Sequence, residues 1–67
     1  MANYRTNETA YVLSISRTMV DAIRRNGVIH SFKIGKNYEF SDADIEEFLD
    51  TYIGKKITKE GFVLNEG

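Results

Sequence analysis

The sequence predicts a small α+β domain of three helices and one two-stranded β-hairpin, and three observations predict it. Two short stretches with helical spacing, one beginning at Thr6 or Asn7 and one at Arg17, are separated by Ser14-Ile15-Ser16. Two alternating runs, Phe32 to Ile34 and Tyr38 to Phe40, flank the polar segment Gly35-Lys36-Asn37. A third helical stretch opens at Ser41 behind an acid-rich first turn.

In the first helix, Thr6 or Asn7 is the expected cap, and Glu8 falls in the first turn, where the helix dipole favours negative charge. Ala10 and Leu13, three apart and flanked by Val12, form its apolar stripe. Ser16 is the expected cap of the second helix, and Ile15 just before it is placed to pin the turn by packing inward. That helix is expected from about Arg17 to Asn26, with Gly27 as its left-handed stop. At 100° per residue, Val20 and Ile23 fall on one side with Met19 and Ser16 beside them. Thr18, Asp21, Ala22 and Arg25 fall on the other side, with Arg17 and Arg24 at its edges.

Next, Phe32 and Ile34 alternate with Ser31 and Lys33, and Tyr38 and Phe40 alternate about Glu39. A three-residue loop containing Gly35 joins them, which is a hairpin signal. The aromatic and branched residues are expected to face the helices, with Lys33 and Lys36 facing solvent. Ser41 caps the third helix, Asp42 and Asp44 load its first turn, and Gly54 ends it. Ile45, Phe48, Leu49 and Tyr52 supply the face that closes the core. Residues 1–54 thus form the domain and 55–67 a tail. Ile57, Phe62, Val63 and Leu64 are too apolar for a purely solvated tail, and Glu60-Gly61 suits the turn of a small hairpin.

Composition narrows the function classes. At 67 residues there is room for one domain, and a chain of this size buries only about 60% of its unfolded surface. There is no cysteine and one histidine, His30, so a disulfide or an all-protein zinc site is not expected. No apolar run approaches a membrane span of about 20 residues, and MANYRTNETA lacks a signal-peptide core, so no membrane partner and an intracellular location are expected. Asp42, Asp44, Glu46, Glu47 and Asp50 stand without a histidine, a nucleophile or an apolar pocket nearby, and read as a cap and a solvated face. No catalytic residue, metal or cofactor is expected.

The net charge is −1 but unevenly spread. Residues 1–36 hold Arg5, Arg17, Arg24, Arg25, Lys33 and Lys36 against Glu8 and Asp21, for +4. Residues 37–53 hold six acids and no base, for −6, and residues 54–67 hold three lysines against two glutamates, for +1. A basic front with an acidic back is compatible with phosphate binding, since steering depends on the local face.

A helix-turn-helix followed by a hairpin is a winged helix, and such a unit places its second helix in the major groove of double-stranded DNA. The expected DNA-facing set on that helix is Ser16, Arg17, Thr18, Asp21, Ala22, Arg24 and Arg25. Arg17 and Thr18, at the N-terminal end, suit base edges, by bidentate bonding to guanine and contact with a thymine methyl. Arg24 and Arg25 suit phosphates. Asp21 suits an ion pair with Arg17 or Arg25 four residues away in preference to its alternative, accepting a bond from a cytosine amino group. Lys33, Lys36 and Asn37 on the wing suit backbone or minor groove.

The chain resembles the excisionase family, relatives of the MerR-type headpiece, over about Tyr4 to Leu49. The resemblance is carried by Glu8-Thr9-Ala10 with Leu13, Ile15-Ser16-Arg17 with Val20, and Ile23-Arg24-Arg25 with Gly27. It continues through Ile29, Phe32-Lys33-Ile34-Gly35-Lys36, Tyr38-Glu39-Phe40 and Asp44-Ile45-Glu46-Glu47-Phe48-Leu49. It implies a cytoplasmic protein of a phage or mobile element in a bacterial host. Such a protein binds repeated sites beside an integrase target, bends the DNA and directs recombination towards excision. Further copies on adjacent sites and an integrase are the implied partners, with the tail a candidate for those contacts. His30 stands where the family usually has proline, Asn37 and Glu39 stand where the wing is often basic, and Asp21 stands where the family often has a neutral or aromatic residue, which together imply weaker phosphate attraction. Regulation of the element's transcription through the same face is the alternative, and a protein-binding adaptor that no longer touches DNA is a third.

Overall fold

The computed structural model describes residues 2–64. In chain order these form β1 (Asn3–Arg5), α1 (Thr6–Leu13), α2 (Arg17–Arg25), β2 (Phe32–Ile34), β3 (Asn37–Ser41), α3 (Asp42–Tyr52), β4 (Lys56–Ile57) and β5 (Val63–Leu64). The chain is therefore a small α+β domain of three helices around a three-stranded antiparallel sheet of order β1-β3-β2, with a separate β4–β5 hairpin. Residues 65–67 of the tail lie outside the described residues.

The helix ends follow local chemistry. Ser16 Oγ accepts the Met19 N–H at 3.0 Å. Ser41 Oγ accepts the Asp44 N–H at 3.0 Å, while the Asp44 carboxylate accepts the Ser41 N–H at 2.9 Å. These three bonds satisfy amides that a helix start leaves without intrahelical partners. Helix α2 stops at Gly27 with φ +71°, where the Gly27 N–H donates to the Arg24 carbonyl and the Val28 N–H to the Ile23 carbonyl at 2.8 Å. This pair of bonds is the glycine stop read from the sequence. The cap of α1 lies one or two residues ahead of the expected Thr6 or Asn7, because β1 runs straight into the helix. Arg5, still extended at φ −82° and ψ 171°, stands in the cap position, and its N–H donates to the Glu8 carboxylate at 3.0 Å.

Ala10, Val20, Ile23, Ile29, Phe40, Ile45 and Phe48 form the core, with Tyr4, Leu13, Ile15, Val28, Tyr52 and Ile57 packed around it. Val20 and Ile23 are fully buried, as their side of α2 demands, and Ile15 pins the turn between α1 and α2. In α1 the buried pair is Thr9 and Ala10, whereas Val12 is half exposed. His30 Nδ1 lies 2.9 Å from Glu47 Oε1, tying the segment before β2 to α3.

Three expectations are corrected. First, β1 is a strand absent from the sequence reading. Tyr4 opposes Phe40 across β1 and β3, so residues ahead of the first helix complete the sheet. Second, the β2–β3 loop has two residues, not three. Ile34 opposes Asn37 and Lys33 opposes Tyr38, with Gly35 at φ +61° in the first position of the turn. A three-residue loop would have set Ile34 opposite Tyr38. Shortening it by one flips β2, because side chains alternate faces along a strand. Lys33 therefore shares the face of Tyr38 and Phe40, while Phe32 and Ile34 lie on the outer face at 37% and 54% exposure. Third, Leu49 is half exposed rather than core, because the apolar face of α3 is centred on Ile45 and Phe48.

The tail folds back as a hairpin around Glu60-Gly61. The Thr58 N–H donates to the Phe62 carbonyl at 2.8 Å, the Gly61 N–H to the Thr58 carbonyl at 2.9 Å, and the Phe62 N–H to Thr58 Oγ1 at 3.1 Å. It then docks on α2. Asn26 Nδ2 donates to the Glu60 carbonyl at 2.9 Å, and Gly61 lies against the backbone of Ala22.

Candidate nucleic-acid interface

Burial of Val20 and Ile23 turns the opposite side of α2 away from the core, and that side carries the cationic residues. Arg17, Thr18 and Arg25 are exposed, as is Ser16 at the cap. Asp21 is half-buried. Its carboxylate lies 3.6 Å from Arg24 Nη2, so its partner is the arginine three residues on rather than Arg17 or Arg25.

Arg24 sits differently from its neighbours. Its side chain is only 16% exposed, and its guanidinium carbon is 3.7 Å from the centre of the Tyr38 ring. Lys33 Nζ approaches the same ring at 5.2 Å. Cation–ring contacts of this kind contribute from about 0.5 to 2 kcal/mol, more as water is excluded. Arg24 Nε is buried with no hydrogen-bond partner among the described residues. Arg24 therefore ties α2 to the β2–β3 hairpin and leaves less of its guanidinium for outside contacts than Arg17 or Arg25.

Ala22 is the member of the expected set that the fold removes from solvent, at 3% exposure. A Cβ on Gly61 would stand 2.6 Å from the Ala22 carbonyl carbon, so the tail turn rests directly on the Ala22 backbone. Helical periodicity identifies the side of α2 away from the core. It carries no information about a segment thirty-odd residues downstream that comes to cover part of it.

Lys33, Lys36 and Asn37 are all exposed on the β2–β3 hairpin. Beside them is a cationic residue that the sequence reading left out of the site. Arg5 on β1, together with Thr6, Asn7, Lys36, Asn37 and Tyr38, lines an open hollow of about 270 Å³. The signal was present in Asn3-Tyr4-Arg5, one aromatic between polar residues, but three residues are too few to identify a strand. Lys59 is the second omission. The docked tail sets it with Ser16, Thr18, Ala22, Arg25 and Glu60 around a groove of about 470 Å³.

Of the α3 acids only Asp44 shares in the cap, and Glu47 lies 2.9 Å from His30 Nδ1, so the expectation that these acids stand without a histidine nearby is corrected. No group of three metal-ligating side chains occurs among the described residues. Asp42 instead holds the N-terminal segment. It accepts the Ala2 N–H at 3.2 Å, and its hydrogen bond and charge push the Tyr4 hydroxyl above its ordinary value of 10.0. Among the described residues no helix is long and apolar enough to cross a membrane. No family model, curated protein or solved structure matches this chain.

Proposed function

We propose that this chain is a winged helix-turn-helix protein that binds specific double-stranded DNA, with α2 as the recognition helix and the β2–β3 hairpin as the wing. One observation carries the reading: Thr18 and Arg25 stand exposed on the side of α2 opposite the buried Val20 and Ile23, with Arg17 exposed at the edge of that side. A helix is about 10–12 Å across with its side chains and enters a major groove about 12 Å wide. Arg17 and Thr18 address base edges, while Arg25 addresses a phosphate. Asp21 orients Arg24, and Arg24 braces the wing through Tyr38. Lys33, Lys36, Asn37 and the adjoining Arg5 extend the cationic surface along the wing.

The resemblance to excisionases gives this binding a purpose. The protein acts as an architectural factor that bends DNA beside an integrase target and favours excision of a phage or mobile element. A single module of this size covers a modest interface of about 600–1,000 Å², so further copies on adjacent sites, or an integrase, supply the remaining affinity. The acids of α3 favour one docking orientation by repelling phosphate.

Footprinting on the element's own attachment and promoter DNA tests the reading, together with a salt titration of the affinity. Protection of repeated attachment sites, with affinity falling steeply as salt rises, supports excision. Protection confined to a promoter moves the function to transcriptional regulation. Affinity for duplex DNA that is absent, or insensitive to salt, overturns DNA binding and leaves a protein-binding adaptor.

A further inference from the structure

The docked tail changes what surrounds α2. Taking Ala22 as the origin and 100° per residue, Thr18, Arg25, Asp21 and Arg17 follow in order around the helix, at about 40°, 60°, 100° and 140°. Arg24 comes next, at about 160°. Ala22 is covered by Gly61 of the tail hairpin, and Arg24 is stacked on Tyr38 of the β2–β3 hairpin. The open strip of α2 is thus bracketed by a hairpin on each side. Because the helix nearly fills the groove, an element on either flank faces one of the two phosphate strands that border it.

We infer that the β4–β5 hairpin is a second DNA-contacting arm, with Lys59 at its turn binding the phosphate strand on the side away from the β2–β3 hairpin. This rests on the DNA-binding reading of α2. Three observations carry it beyond that reading. Lys59 and Arg25 are exposed on the rim of one groove, and neither has a carboxylate within ion-pair distance among the described residues. Thr18 adds a hydroxyl donor to the same rim. The arm is also held in place: Asn26 donates to the Glu60 carbonyl at 2.9 Å, and Gly61 contacts Ala22 closely enough to exclude any side chain. Glu60 shares the rim, but its backbone carbonyl is the group that anchors the turn. A turn already seated on α2 has no backbone freedom left to lose when its lysine meets a phosphate, and this arrangement assigns the tail to DNA rather than to a protein partner.

The test is binding of full-length K59A to a duplex carrying one site, measured from 50 to 200 mM salt, beside R25A, R17A and K55A. Lys55 removes the same charge from the far end of the tail, beside Phe48, Leu49 and Tyr52. K59A is expected to weaken specific and unrelated duplexes alike. One phosphate contact adds about 0.9 to the slope of log affinity against log salt, so the fourfold rise in salt should cost K59A roughly 3.5-fold less affinity than wild type. Ethylation interference should lose one phosphate on one strand, and K55A should behave as wild type. Wild-type affinity and slope in K59A while R25A and R17A are impaired overturns the second arm alone. An equal loss in K55A overturns it as well, since total charge then explains the effect. Wild-type binding by R17A and R25A overturns the DNA face itself, and the arm with it.

Discussion

Replacing Gly61 by alanine tests how tightly the tail is seated. Gly61 has φ +86°, and an added Cβ would lie 2.6 Å and 2.7 Å from the Ala22 carbonyl carbon and oxygen and 2.8 Å from Asn26 Nδ2. Two of those three atoms are helical backbone and cannot retreat. The turn must therefore move by about 0.8 Å to bring the closest contact to an ordinary 3.4 Å. A shift of that size stretches the 2.9 Å Asn26–Glu60 bond to a length at which it no longer holds. The left-handed backbone costs a non-glycine residue about 1–2 kcal/mol, and the lost hydrogen bond about 0.5–1.5 kcal/mol. The sum, roughly 1.5–3.5 kcal/mol, acts on the tail hairpin and its docking rather than on the core. Amide hydrogen exchange measures it. The Thr58 and Phe62 amides, bonded within the hairpin, should lose protection, while the Val28 amide bonded to the Ile23 carbonyl keeps it. Unchanged protection at Thr58 and Phe62 in the Gly61→Ala protein would refute the close seating of the tail on α2.

Arg17→Ala should relax sequence preference at one base pair by roughly 1–3 kcal/mol, read by binding to a panel of single-base variants. Arg25→Ala should weaken all duplexes alike and lower the salt slope by about 0.9, read by the same titration. Thr9 is fully buried with Oγ1 unpartnered among the described residues. Thr9→Val should therefore stabilise by about 1 kcal/mol, a rise of roughly 4–8 °C in Tm by calorimetry, and a fall in Tm would contradict it. The Tyr4 hydroxyl titrates above 10.0 because Asp42 disfavours its ionised form. Its folded value lies above the unfolded one, so its contribution to stability is whole below about pH 10 and is lost as pH rises through the raised value. Tyr4→Phe should remove that alkaline component from a pH series of melts.

Much of the fold was legible because its signals are local. Ser16 and Ser41 cap helices with their own hydroxyls, Gly27 stops α2 with its own backbone, and Val20 and Ile23 bury the side that their spacing selects. Leu49 escaped because its spacing fits the stripe of α3 while burial depends on what packs opposite. Asp21 found Arg24 rather than Arg17 or Arg25 because the Tyr38 ring had already fixed where Arg24 lies.

The amino-acid order alone determined three helices, the caps of the second and third, a hairpin between those two, and a cationic side on α2, since each depends on residues close along the chain. Tertiary structure decided the rest. Tyr4 joins the sheet only because Phe40 is there to meet it, and a loop one residue shorter sends Phe32 and Ile34 outward. Ala22 is hidden, and Lys59 brought beside Arg25, only because the tail returns across α2. The β1–β3 pairing and the return of the tail are settled by contacts between distant residues, and the β2–β3 register by loop length, and periodicity along a single segment carries no record of any of them.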